Sequence, residues 1–109
     1  MKKELRTYKT EDKKEPFIEW LEALKDNIGR AQVTNRLNRA VLGNYGDFDS
    51  VGEGVLELKI HYGPGYRVYF VEQENTILLL LLGGSKRSQV RDIKKAKQYW
   101  ADFRERCYD

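Results

Sequence analysis

Residues 54–70 read GVLELKIHYGPGYRVYF, two short alternating runs joined at Gly63-Pro64-Gly65. Alternation with a period of two belongs to a strand, and a glycine-rich break between two such runs signals a hairpin. With residues 63–65 as the loop, Tyr62 is expected to face Tyr66, Ile60 to face Val68, and Leu58 to face Phe70. All six are apolar, so this is the core face. The opposite face then pairs His61 with Arg67 and Lys59 with Tyr69, with Glu57 beyond them. A slip of one residue would mix the two sets, so the pattern specifies its register. His, Lys, Arg, Tyr and Glu gathered on one ribbon face are costly for a core and suited to a phosphate.

The flanking segments complete a fold. Residues 4–9 alternate around Leu5 and Tyr8 beside Arg6, which predicts a short first strand. Pro16 suits the first turn of a helix, and Phe17, Trp20, Leu21, Leu24 and Ile28 follow at helical spacing. Gly29 interrupts. Val33, Leu37, Ala40 and Val41 define a second helix that stops at Gly43, with Arg36 and Arg39 on its other side. Residues 44–54, rich in Gly, Asp and Ser, read as a loop. Residues 77–82 form an unbroken apolar run, the pattern of a central strand covered on both faces. Ser88 can cap a last helix with Asp92 in its opening turns, and Val90, Ile93, Ala96, Trp100 and Phe103 line its buried side. The order β-α-α-β-β-β-α, with consecutive C-terminal strands, predicts an α+β fold: a small antiparallel sheet packed with an N-terminal helical hairpin and a C-terminal helix.

A chain of 109 residues is expected to form one domain, residues 1–109, and its 40% hydrophobic content supports one modest core. The apolar run at residues 77–82 is far shorter than the roughly 18 residues that cross a bilayer. The charged N-terminus carries no apolar segment of the secretory kind, so a cytoplasmic protein is expected. Cys107 has no second cysteine to pair with, and with one His in the chain no zinc-type site or other cofactor is expected. Residues 1–53 carry ten Lys/Arg and ten Asp/Glu, whereas residues 54–109 carry ten and seven, so the whole excess of +3 lies in the second half. Within residues 86–97 six cations (Lys86, Arg87, Arg91, Lys94, Lys95, Lys97) stand against Asp92 alone. A polyanion responds to such local charge rather than to the global sum.

Several segments carry a resemblance that spans nearly the whole chain: PFIEWL at residues 16–21, ELKI at 57–60, GPGYRVYF at 63–70, LLLLGGSK at 79–86 and DIKKA at 92–96. In this order and spacing the chain resembles the RelE/HigB-type toxins of bacterial type II toxin–antitoxin modules, in the addiction module killer protein branch. The resemblance implies the α+β arrangement above, a cognate antitoxin encoded nearby, and ribosome-dependent cleavage of mRNA. In that chemistry the 2′-hydroxyl attacks the neighbouring phosphate and the 5′-oxygen leaves, without a metal. It needs a proton acceptor, a group to assist the leaving oxygen, and cations for the phosphorane.

By the same resemblance, Arg67 matches the catalytic Arg of the Tyr-Arg pair after the turn. Lys59 matches a basic residue on the preceding strand, and Lys86, or its neighbour Arg87, one at the end of the last strand. Arg67 also has the fork geometry for a bidentate phosphate contact. Many RelE-type members carry a Tyr near the start of the last helix, where this chain has Gln89-Val90-Arg91. The base is then either His61, by its ordinary imidazole range, or Lys59, with its pKa lowered by neighbouring cations. Gln89 can position a base or a phosphate. Arg87, Arg91, Lys94 and Lys95 are candidates to track the RNA backbone, and Tyr69 either stacks a base or packs over Lys59. The same fold hosts ParE-type poisons of DNA gyrase and could host a non-catalytic RNA- or partner-binding domain, so fold does not decide function.

Overall fold

The computed structural model describes residues 2–107. The side chain of Cys107 lies outside the described residues. In chain order the elements are β1 (Glu4–Thr7), α1 (Pro16–Ala23), α2 (Asn27–Ala40), β2 (Phe48–Gly52), β3 (Val55–Ile60), β4 (Tyr66–Gln73), β5 (Ile77–Ser85), a 3-10 turn (Lys86–Ser88) and α3 (Gln89–Cys107). The fold is α+β. One five-stranded sheet has the order β1-β5-β4-β3-β2, antiparallel throughout except for β1, which runs parallel to β5.

The sheet separates two cores. Leu58, Ile60, Val68, Phe70, Leu78 and Leu80 pack against α1 and α2, through residues such as Phe17, Val33 and Leu37. Val55, Tyr69, Val71, Leu79 and Leu81 pack against Ala96 and Trp100 of α3. Leu78 to Leu81 thus alternate between the cores, which is why their run is unbroken.

Four expectations change. β2 lies inside the segment read as a loop. It is a polar edge strand exposed along nearly its whole length, so it carries no apolar alternation to announce it. Its turn into β3 is tight, with positive φ at Gly52, Glu53 and Gly54. The hairpin register is Ile60↔Tyr66, Lys59↔Arg67, Leu58↔Val68 and Glu57↔Tyr69, two residues from the expected pairing. His61 and Tyr62 belong to the turn, which closes with the Gly65 N–H donating to Tyr62 O at 3.0 Å. A shift of two keeps every side chain on its expected face.

The helical hairpin breaks at residues 24–26 rather than at Gly29. Asp26 caps α2, accepting from Gly29 N at 2.9 Å, and this new start turns Ile28 outward to 60% exposure. Gly29 sits inside α2 because a Cβ there would lie 2.5 Å from the Tyr66 ring. Val90 is 87% exposed instead of lining the core. The first turn of α3 points Gln89 inward to Glu57 of the sheet and buries Asp92, which accepts from Ser88 in the preceding turn.

Asp26 joins both halves of this packing, because Tyr66 Oη also donates to it at 2.8 Å. Burial first, then Asp26, push the Tyr66 phenol up to about 12. The Gly29 N–H and Tyr66 hold the Asp26 carboxyl below its ordinary range. Asp26→Ala should lower stability by about 1 kcal/mol, the usual loss of an N-cap, as read by urea denaturation. A depressed native pKa means that this contribution is complete at neutral pH and fades as the pH falls through the native value. The variant's deficit should therefore shrink in acid.

Candidate functional site

The pleat puts Glu57 and Lys59 of β3 and Arg67 and Tyr69 of β4 on one face, as the alternation predicts. That face is not open. α3 covers it, leaving Glu57, Arg67 and Tyr69 at 1%, 5% and 0% exposure. Gln89, in the first turn of α3, donates from Nε2 to Glu57 Oε2 at 2.8 Å. Arg67 Nε stands 3.9 Å from the same oxygen, an ion pair too long for a hydrogen bond, and Arg67 NH1 donates weakly to Tyr66 O at 3.2 Å. Arg67 Nε and Tyr69 Oη are buried with no hydrogen-bond partner among the described residues. Burial and then the charge of Glu57 raise the Tyr69 phenol far above its ordinary range, although Glu57 accepts no hydrogen bond from it. This is a poised polar cluster: one carboxylate, one guanidinium with spare donor capacity, and one phenol.

The cluster meets the surface at Gly65. A Cβ on Gly65, whose φ is +77°, would lie 3.4 Å from Lys86 Cβ and 3.5 Å from Arg67 NH1. The Lys86 N–H donates to Gly65 O at 2.8 Å, tying the end of β5 to the hairpin turn. The Lys86 side chain is exposed beside this notch, as are Arg87, Arg91, Lys94 and Lys95 along the following turn and helix. Lys97, the sixth cation of the run, pairs with Glu53 at 3.5 Å.

The remaining candidates sit differently. Lys59 pairs with Asp49 of β2, and that hydrogen bond raises its pKa rather than lowering it, so Lys59 is a cation and a poor base. His61 lies in the turn, exposed, with Nε2 2.5 Å from Asp47 Oδ2. This contact is the main cause of the depressed Asp47 carboxyl. Tyr69 is not available to stack a base, because α3 seals it. Glu57, placed by the alternation on the polar face, is buried there and held by Gln89. Arg36, expected on the outer side of α2, is buried and donates to the carbonyls of Lys59, Tyr45 and Asp47 at 2.5, 2.7 and 3.0 Å. Among the described residues no cluster of three or more His, Cys, Asp or Glu is placed to hold a metal.

No protein-family model matches the chain. Over 81 residues it is 44% identical to an uncharacterized protein of Haemophilus influenzae, a match that covers 74% of this chain and 82% of the relative. The chain belongs to that protein's family.

Proposed function

We propose that the protein is a RelE/HigB-type toxin that cleaves mRNA on the ribosome by metal-independent attack of the 2′-hydroxyl. The observation that carries this reading is the meeting of Arg67 and Lys86 at Gly65, at the head of an exposed cationic run from Lys86 to Lys95. A phosphate at that notch meets Lys86 directly and the field of Arg67 behind it. Both cations stabilise charge that grows on the phosphorane. Arg87, Arg91, Lys94 and Lys95 hold the RNA backbone. Of the two bases considered, His61 fits better, since Asp47 orients its ring while Asp49 keeps Lys59 protonated. The protein works in the cytoplasm and is held inactive by a cognate antitoxin encoded nearby.

The deep burial of Arg67 favours a second reading, in which the same fold acts by binding alone, as a ParE-like gyrase poison does. Purified protein incubated with mRNA, with and without ribosomes, beside a gyrase supercoiling assay, separates the two. Cleavage only with ribosomes supports the proposal. Inhibited supercoiling with intact mRNA overturns it.

The cationic run gives a further expected result. Lys94→Glu with Lys95→Glu should weaken ribosome binding and flatten the slope of log affinity against log salt by about 0.7 per lost phosphate contact. An unchanged slope would leave these two residues as a solvated helix face.

A further inference from the structure

We propose that the free edge of β5 is a docking site for an extended segment of another protein, with acidic and apolar side chains in alternation. β1 pairs only with Ile77 to Leu80 of β5, and the last link between them is the Tyr8 N–H donating to Leu80 O. Beyond Leu80, residues 82–85 of β5 pair with β4 on one side, and among the described residues no strand lies on the other. Ser88 Oγ accepts from Ser85 N at 3.4 Å and donates to Ser85 O at 3.3 Å, so the open stretch is residues 82–84. This open edge forms the floor of a trough between α1 and α3, made of two adjoining hollows of about 510 and 640 Å³ that share Trp20, Leu82, Arg91 and Asp92. Gly83 and Gly84 let both helices close onto the strand. A Cβ on Gly83 would meet the Trp20 ring at 2.1 Å, and one on Gly84 would meet Asp92 Oδ2 at 1.9 Å.

Unpaired strand edge accepts one kind of guest well, an extended backbone that continues the sheet. The two walls then choose its side chains, because successive residues of a strand point to opposite faces. The α1 wall offers Trp20 and Leu24, with Glu19 at its far end, and so takes apolar side chains. The α3 wall offers Arg91 and Lys95, both exposed, and so takes carboxylates. Asp92 on that wall accepts from the Ser88 hydroxyl at 2.5 Å and also lies 3.9 Å from Arg91 Nε. It therefore offsets part of the Arg91 charge and leaves Lys95 as the cation with no acidic partner among the described residues. The site shares Arg91 and Lys95 with the cationic run proposed above to hold RNA, and the peptide and RNA arms of the test below distinguish the two uses.

The test uses the full chain, isotope-labelled, and a short peptide of alternating glutamate and valine. Its controls are the same peptide with proline at every second position, a short RNA, and a dilution series of the protein alone. The alternating peptide should bind, shift the amide signals of residues 82–84, and slow their exchange with solvent. The proline peptide, which cannot donate to a strand edge, should bind at least about tenfold more weakly. Arg91→Glu with Lys95→Glu should weaken the alternating peptide by a similar factor while leaving the melting temperature unchanged. Equal binding of both peptides, or shifts confined to β2, overturns the proposal. So does occupation of the edge by RNA, or by a second copy of the chain as the protein is concentrated.

Discussion

Arg36→Ala should lower the stability of the protein by about 3 kcal/mol, the cost of stranding several buried carbonyls at once. Its guanidinium joins the carbonyls of Tyr45 and Asp47, ahead of β2, to that of Lys59 at the end of β3. The loop bends around it: Gly46 has a φ of +65°, and a Cβ there would lie 3.0 Å from Arg36 NH2. For a domain of this size the melting temperature should fall by roughly 15 °C. Arg36→Lys should recover only part of the loss, since a single ammonium cannot span the positions that a planar fork reaches. A melting temperature within a few degrees of the parent would show that water replaces the guanidinium at little cost. Because Asp47 leaves that loop to hold His61, the variant should also loosen the proposed base.

Arg67→Ala should abolish growth arrest on expression and slow mRNA cleavage by about 10²–10³-fold, the loss that follows removal of one preorganised charge from a transition state. The substitution also strands Glu57, which is fully buried, so stability falls with activity. The two effects separate in the double variant Arg67→Met with Glu57→Gln. Without a lone buried charge it should melt near the parent and remain inactive. Growth arrest by a folded double variant, at equal protein level, would remove Arg67 from the chemistry and favour action by binding alone.

Much of this architecture was legible in the residues, and the misreadings have specific causes. Alternation around residues 63–65 identified β3, β4 and their faces, because a period of two survives an even shift in register. It could not place the turn, since Tyr62 looks like a strand residue and is held in the turn by backbone bonds. β2 was invisible because an exposed edge strand needs no apolar face. The polar face of the hairpin was read as open although the run at residues 77–82 already required cover on both sides of the sheet. The two readings conflict, and the central strand decides: α3 lies over β3 and β4 as well. Seen that way, Gln89 in the first turn of α3 is the partner that makes a buried Glu57 tolerable, and Val90 is displaced outward for the same reason. Arg36 carried no sequence signal, because a lone Arg on the polar side of a helix looks the same whether it meets water or three carbonyls.

The parallel pairing of β1 with β5 has a consequence for synthesis. Glu4 to Thr7 find their partners at Ile77 to Leu80, so the first strand made waits for the last. α1 rests chiefly on β5, and α2 on β3 and β4, so the helical hairpin leaves the ribosome before the surface that stabilises it exists. The chain should therefore emerge largely unfolded and acquire its sheet in a late, concerted step. The notch at Gly65 requires the end of β5 as well. On the reading proposed above, the chain would carry no complete site toward the ribosome that makes it until β5 and the turn after it have been translated.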